Sequence, residues 1–241
     1  MPRGVIETII NLVYPALCVS CKRPNHQSES IRYLCSNCYL SISRHTPPFC
    51  VKCGRGLKEL RHIHNSICGE CLERHYNFDQ AWSVCNYDGI IKSLIHAFKY
   101  KQKLHYKIIF GRLFDEFLTA FKVLRDVDLI IPIPLHAVRL REREYNQSYI
   151  IAQSVSQILN KPVTTHALER WRNTKPQVDL DENKRETNIN GCFRLRNAVE
   201  LKEKSILLID DVFTTGTTLS EAAKALKSCK PSRISCLTLA S

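Results

Sequence analysis

Residues 205–221 read SILLIDDVFTTGTTLSE, and the rest of the chain is best read outward from this run. Ile206, Leu207, Leu208 and Ile209 are a short apolar run bounded by charge, which predicts a central strand buried on both faces of a parallel sheet. Asp210 and Asp211 fall where that strand ends, Thr214, Thr215, Gly216, Thr217 and Thr218 follow, and an alanine-rich helix is predicted over residues 220–228. Such a turn gathers backbone N–H groups, short hydroxyls and the positive end of a helix dipole at one point, which suits a phosphate. Gly216 lets the backbone approach closely or take a positive φ. The two carboxylates only accept hydrogen bonds, so beside a phosphate cradle they suit hydroxyls or a hydrated Mg²⁺. The implied ligand carries sugar hydroxyls next to its phosphate. No Gly-Lys-Ser/Thr is present, so this is not a Walker A loop, and the spacing is not that of a dinucleotide G-x-G-x-x-G.

A hydrophobic strand, two acids and Thr-Thr-Gly-x-Thr together resemble the phosphoribosyl-pyrophosphate (PRPP) signature of type I phosphoribosyltransferases. A strand ending in acids before a helix is common in open α/β proteins, and neither fold nor ligand fixes a reaction.

At 241 residues the chain holds one ordinary α/β domain and a small appendage. Eight of the 12 cysteines form four Cys-x-x-Cys pairs in residues 18–71, while Cys85, Cys192, Cys229 and Cys236 are scattered. Gaps of 13 residues after Cys21 and 14 after Cys53 match ribbons in which two knuckles close on one Zn²⁺. One site is assigned to Cys18, Cys21, Cys35 and Cys38 and another to Cys50, Cys53, Cys68 and Cys71, with interleaved pairing as the alternative. Four sulfur ligands leave no open position, so both sites read as structural. His62 and His64 lie in the second ribbon's loop and, with four cysteines at hand, read as loop residues. Ribbons too small for a core of their own are stapled by metal, and they can present basic side chains to nucleic acid.

The formal charge of +12 falls to about +8 once eight thiolates and two Zn²⁺ are counted. Residues 1–80 carry 10 basic and 6 acidic side chains and the remainder 25 and 17, so the metallated excess lies in the second part. A basic excess favours nucleic acid or phosphorylated substrates, or serves solubility alone. No run of eighteen apolar residues marks a transmembrane span. VIETIINLVYPAL, residues 5–17, reads as an amphipathic helix ended by Pro15 and not as a signal peptide. Metal-bound thiols fit a reducing cytoplasm. The expected division is an N-terminal helix over 1–17, a double zinc ribbon over 18–78, and an α/β domain over 79–241.

From Trp82, WSVCNY predicts a first strand, and Ile90, Ile91, Leu94, Ile95 and Phe98 recur at helical spacing. Residues 99–103, Lys-Tyr-Lys-Gln-Lys, mix cations with an aromatic, a pattern for phosphate contact and base stacking or for a solvated helix end. A second amphipathic helix is expected over 108–124 and a strand over 128–134, whose prolines mark its exit from the sheet. Arg139, Arg141 and Arg143 follow close behind, where arginines can clamp an anion. Tyr145, Ile150, Ile151, Val155, Ile158 and Leu159 carry the next helix, ended near Pro162. Residues 170–193 lack periodicity and carry Arg170, Arg172, Lys175, Lys184 and Arg185, which fits a loop folding over phosphates or a solvated linker. RISCLTL, residues 233–239, is a last strand. Strands alternating with helices imply right-handed crossovers and ligands at the strands' carboxyl ends.

IPIPL followed by arginines and YNQS, the stretch RWRNTKPQ to NKRETNINGCF, the LLIDDVFTTGTTL run and the cysteine-rich front end together resemble the ComF family of competence-associated proteins over nearly the whole chain. Family members commonly read Arg-Gly-Phe-Asn-Gln where this chain has Arg143-Glu144-Tyr145-Asn146-Gln147, so Glu144 replaces a glycine. The resemblance implies an α/β fold: a mainly parallel, type I phosphoribosyltransferase-like sheet flanked by helices and preceded by a small zinc-ribbon domain. It implies a role in natural transformation beside other competence proteins, where incoming single-stranded DNA is handled in the cytoplasm at the membrane's inner face. Carried over by position, Asp210 and Asp211 meet ribose hydroxyls and, through water, Mg²⁺, with Val212 and Phe213 following them. Thr214, Thr215, Gly216, Thr217 and Thr218 hold the 5-phosphate. Leu135, His136 and Arg139 in the turn after Pro134 meet pyrophosphate, and Arg172, Lys175 or Arg185 covers it. Two functions remain open: a competence factor that binds single-stranded DNA and a PRPP-type ligand, or an active transferase of ribose 5-phosphate to a base or amine. No general base is identifiable.

Overall fold

In the computed structural model, which describes residues 17–25, 31, 33–57, 63–64, 66–174, 189–196 and 201–241, the cysteine-rich front end forms two units on one plan. Helix α1 (Ser36–Leu40) closes the first unit, and the strand pair β1 (Ile63–His64) and β2 (Ile67–Cys68) with helix α2 (Gly69–Glu73) closes the second. The first knuckle of each is tied by equivalent bonds: Cys18 N–H donates to the Arg23 carbonyl at 2.9 Å and Cys50 N–H to the Arg55 carbonyl at 2.8 Å. Each knuckle needs one left-handed residue, Lys22 at φ 63° and Gly54 at φ 70°. At Gly54 glycine is required twice over, because a Cβ would lie 2.3 Å from the Ala81 carbonyl oxygen. The second unit therefore sits directly on the first strand of the main sheet.

That sheet has four parallel strands in the order β3 (Gln80–Cys85), β8 (Arg233–Ala240), β7 (Ser205–Val212) and β4 (Leu129–Pro132). The flanking helices are α3 (Gly89–Tyr100), α4 (Lys107–Phe121), α5 (Ala137–Arg143), α6 (Gln147–Leu159) and α7 (Thr217–Leu226). The internal position of β7 follows from its sequence, since successive side chains point to opposite faces and both faces are covered. Leu207 and Ile209 enter a core shared with α3, α4, α6 and Cys18 of the first unit. Ile206 and Leu208 enter a second core with α7 and all four cysteines of the second unit. Each such side chain, fully buried, contributes about 1.5–3 kcal/mol. The outer edge of β3 is covered by the ribbon segment, with Ala81 N–H donating to the Lys52 carbonyl at 2.7 Å and His45 N–H to the Val84 carbonyl at 3.0 Å.

Several boundaries differ from the sequence expectation. Helix α7 starts at Thr217 and not at residue 220, because Gly216 at φ 76° is its cap and draws the two threonines into the first turn. The first strand runs two residues earlier than WSVCNY. Behind Pro134 a short helix, α5, forms where only a turn was expected, capped by His136, whose Nδ1 accepts from Val138 N–H at 3.3 Å. The ends of the long polar stretch pair as an antiparallel hairpin, β5 (Leu168–Arg170) with β6 (Phe193–Leu195). Glu144 ends α5 at φ 66°, which accounts for a glycine at this position as a left-handed cap. The expected N-terminal helix up to residue 16, and His62, lie outside the described residues. No helix among the described residues is long and apolar enough to cross a membrane.

Candidate functional site

A cleft of about 760 Å³ opens at the carboxyl end of β7. Asp210, Asp211, Thr214 and Thr218 form one wall, and Leu135, Arg139, Arg143 and Ser148 another. Lys99 and Tyr100 enter from the end of α3, and Arg170 from β5. The right-handed order of strand, turn and helix brings these elements to one sheet edge.

The two aspartates have different environments. Asp210 Oδ1 accepts from Ser148 Oγ and from Asp211 N–H, both at 2.9 Å. Asp211 is 4% exposed, and its Oδ2 forms an ion pair with Lys99 Nζ at 2.8 Å. Burial, and then the neighbouring Asp211 charge, push the Asp210 carboxyl up to about 6, against the pull of Lys99 and Ser148. Burial alone lowers the Lys99 ammonium, but Asp211 and Asp210 outweigh it and its pKa is raised.

Across the cleft the charge is positive and crowded. The Arg139 guanidinium is depressed by burial and then by Arg170 and Arg143. Arg170 is 7% exposed, its Nε has no hydrogen-bond partner, and its Nη2 donates to Thr174 Oγ1. Arg139 donates to the Thr174 carbonyl. Arg143 lies 4.9 Å above the ring of Tyr100, which is half exposed at the rim. An anionic group placed among Arg139, Arg143 and Arg170 relieves their mutual repulsion, while hydroxyls suit the aspartates.

Of the residues expected from the sequence, Leu135, Arg139, Asp210, Asp211, Val212, Thr214 and Thr218 line the cleft. Phe213 does not, since its ring is buried in the second core. Thr215 is largely buried, its hydroxyl 2.8 Å from that of Thr217, and Gly216 and His136 act as helix caps. Arg172 is exposed, is not among the lining residues, and donates to the Asn190 carbonyl at 2.7 Å. Lys175 and Arg185 lie outside the described residues. Lys99 and Ser148 were missed as partners of the aspartates, while Arg170 was expected among the cations of a loop over phosphates. Lys99 had the one visible signal, a cation beside an aromatic at a helix end.

The sulfur atoms of Cys18, Cys21, Cys35 and Cys38, and of Cys50, Cys53, Cys68 and Cys71, each lie within 4.8 Å of one another, so the pairing is sequential and not interleaved. The Cys21–Cys35 and Cys53–Cys68 sulfurs are 3.7 Å apart. A tetrahedral zinc with bonds of about 2.3 Å spaces its sulfurs by about 3.8 Å. Backbone N–H groups of Cys35 and Cys68 point at the sulfurs of Cys18 and Cys50, at 3.5 and 3.4 Å, as partners for thiolates. Both donor sets fit structural zinc. Cys21 is exposed, whereas the second set is buried throughout.

The phosphoribosyl transferase domain family matches residues 146–241 and the double zinc ribbon domain family residues 9–72. Competence protein F of Haemophilus influenzae is 29% identical over 214 residues, covering 87% of this chain and 90% of that protein. The DNA utilization protein YhgH of Salmonella typhimurium is 30% identical over 219 residues, covering 89% and 92%. Among solved structures, glutamine PRPP amidotransferase of B. subtilis aligns at 13% identity and a TM-score of 0.39 over 59% of this chain; the chain spans 30% of that enzyme's length.

Proposed function

The chain belongs to the ComF family of competence-associated proteins, and on that premise we propose that it serves DNA uptake in natural transformation, binding single-stranded DNA and a PRPP-type sugar phosphate on the cytoplasmic side of the membrane. The observation that carries the reading is the pairing, within one cleft, of Asp210 and Asp211 with the cations Lys99, Arg139, Arg143 and Arg170. Ribose hydroxyls donate to the aspartates, phosphates meet the arginines and the threonine turn, and the rim ring of Tyr100 offers a face for a base. The aspartates are also suited to a hydrated Mg²⁺ arriving with a polyphosphate, which would neutralise charge between the two.

Fluorescence anisotropy with single-stranded DNA over a salt series tests the nucleic-acid half. Binding should weaken steeply as salt rises, and no binding in low salt, or a slope near zero, would end this reading. Calorimetry with PRPP and Mg²⁺ tests the other half, where Asp210→Asn should weaken binding about tenfold or more.

A second reading, transfer of ribose 5-phosphate to a base or amine, is favoured by the cleft's size, which leaves room for a second reactant beside a sugar phosphate. Among the described residues no histidine lines the cleft, and Glu142 is the one lining carboxylate besides the two aspartates. Pyrophosphate release from PRPP with a panel of bases and DNA separates an enzyme from a binding protein.

A further inference from the structure

The two ribbons share one plan, yet they differ in what they touch. Arg55 closes the Cys50–Cys53 knuckle through its carbonyl, and its guanidinium reaches in two directions: Nη1 to Glu70 Oε2 at 2.9 Å and Nη2 to the Thr214 carbonyl at 3.1 Å. Glu70 lies between Cys68 and Cys71, so both knuckles of the second metal site hold the same guanidinium. Just past this site, Arg74 Nη1 donates to the Thr215 carbonyl at 3.3 Å, and Asn77 donates twice to Ser220 Oγ, at 3.0 and 3.1 Å. A Cβ on Gly216 would meet Tyr76 at 2.7 Å and Phe213 at 2.6 Å, so the turn is also packed against this segment. Arg23, the counterpart of Arg55 in the first ribbon, is exposed and contacts no part of the turn among the described interactions.

We propose that the second metal site positions the threonine turn of the cleft, with Arg55 and Arg74 as positioning residues, so that metal occupancy and anion binding are thermodynamically linked. In a planar trans peptide the C=O and N–H point in opposite directions. Holding the carbonyls of Thr214 and Thr215 on the ribbon side turns the N–H groups of Thr215 and Gly216 away from it, toward the side where Thr214 and Thr218 line the cleft. Metal at Cys50, Cys53, Cys68 and Cys71 fixes where the two arginines start. Loss of metal frees them and the turn loosens. Linkage is reciprocal, so an anion on the turn retards metal loss from the second site and leaves the first unaffected. The linkage to ligand rests on the sugar-phosphate reading of the cleft, but the positioning does not.

The test is hydrogen exchange across residues 213–220 in the full chain with both metals bound. Arg55→Ala should retain two zinc ions and speed exchange there about tenfold, as expected for losing one charge-assisted hydrogen bond. Arg23→Ala should leave it unchanged. Arg74→Ala, which removes the hydrogen bond to the Thr215 carbonyl, is the second variant should Arg55→Ala not fold. Unchanged exchange over 213–220 in a folded, two-zinc variant overturns the proposal. In a chelator assay PRPP should slow one of two zinc-release phases in the wild type and neither in Arg55→Ala; equal slowing in both proteins overturns the linkage. If calorimetry finds no PRPP binding to the wild type, the sugar-phosphate reading fails, while the exchange result still decides the positioning.

Discussion

Asp210 shows how a residue lining the cleft opposes stability. Its carboxyl is pushed from 3.8 to about 6 by burial and by Asp211, so the folded chain takes up this proton more readily than the unfolded one. Stability therefore falls as pH rises through the window from about 4 to 6, and the ionised group opposes folding at neutral pH. Asp210→Asn keeps an oxygen for Ser148 and removes the charge, so it should raise the melting temperature of the ligand-free protein at pH 7.5. The gain should vanish below pH 4, as thermal unfolding across a pH series can check. The same substitution should weaken PRPP binding, so stability and affinity move in opposite directions. The sequence marked Asp210 and Asp211 as site residues. It did not show that Lys99 covers one and Ser148 the other, because residues far apart in the chain meet only when α3 and α6 pack on the sheet.

At the scale of elements, the turn between β7 and α7 depends on one glycine for two separate reasons. Gly216 takes φ 76° as a helix cap, and a Cβ there would enter the space of Phe213 and Tyr76. Gly216→Ala should destabilise by about 2–4 kcal/mol, read as a drop in denaturant midpoint at unchanged slope. It should also weaken anion binding by displacing the N-terminus of α7. The need for glycine was legible in the Thr-Thr-Gly-Thr-Thr spacing, while the rings that crowd it were not, because Tyr76 belongs to the segment leaving the second ribbon. The same limit explains Arg172. Its place in a basic stretch pointed to a phosphate, but the hairpin of β5 and β6 turns it outward to Asn190 and brings Arg170 into the cleft instead.

For the whole molecule, the metal sites and the α/β sheet are not separable parts, since Cys50, Cys53, Cys68 and Cys71 share a core with Phe78, Phe213 and Leu219. Scanning calorimetry of the zinc-loaded protein should show one transition, and chelation should lower it by at least about 10 °C for the entire chain; a melting sheet indifferent to metal would contradict this. The sequence by itself determined the local devices: the apolar strand ending in two acids, the threonine turn, and four knuckles at ribbon spacing. Each is written in adjacent residues, where periodicity, turn chemistry and ligand spacing act directly. Only the tertiary structure decided which ribbon meets the turn. The two are nearly alike in spacing, and the difference comes from the packing of Gly54 on β3 and from the face to which alternate residues of β7 point. Only the structure, too, gathered Lys99, Arg143 and Arg170 around the aspartates, because charges brought together from distant segments leave no periodic trace in the chain.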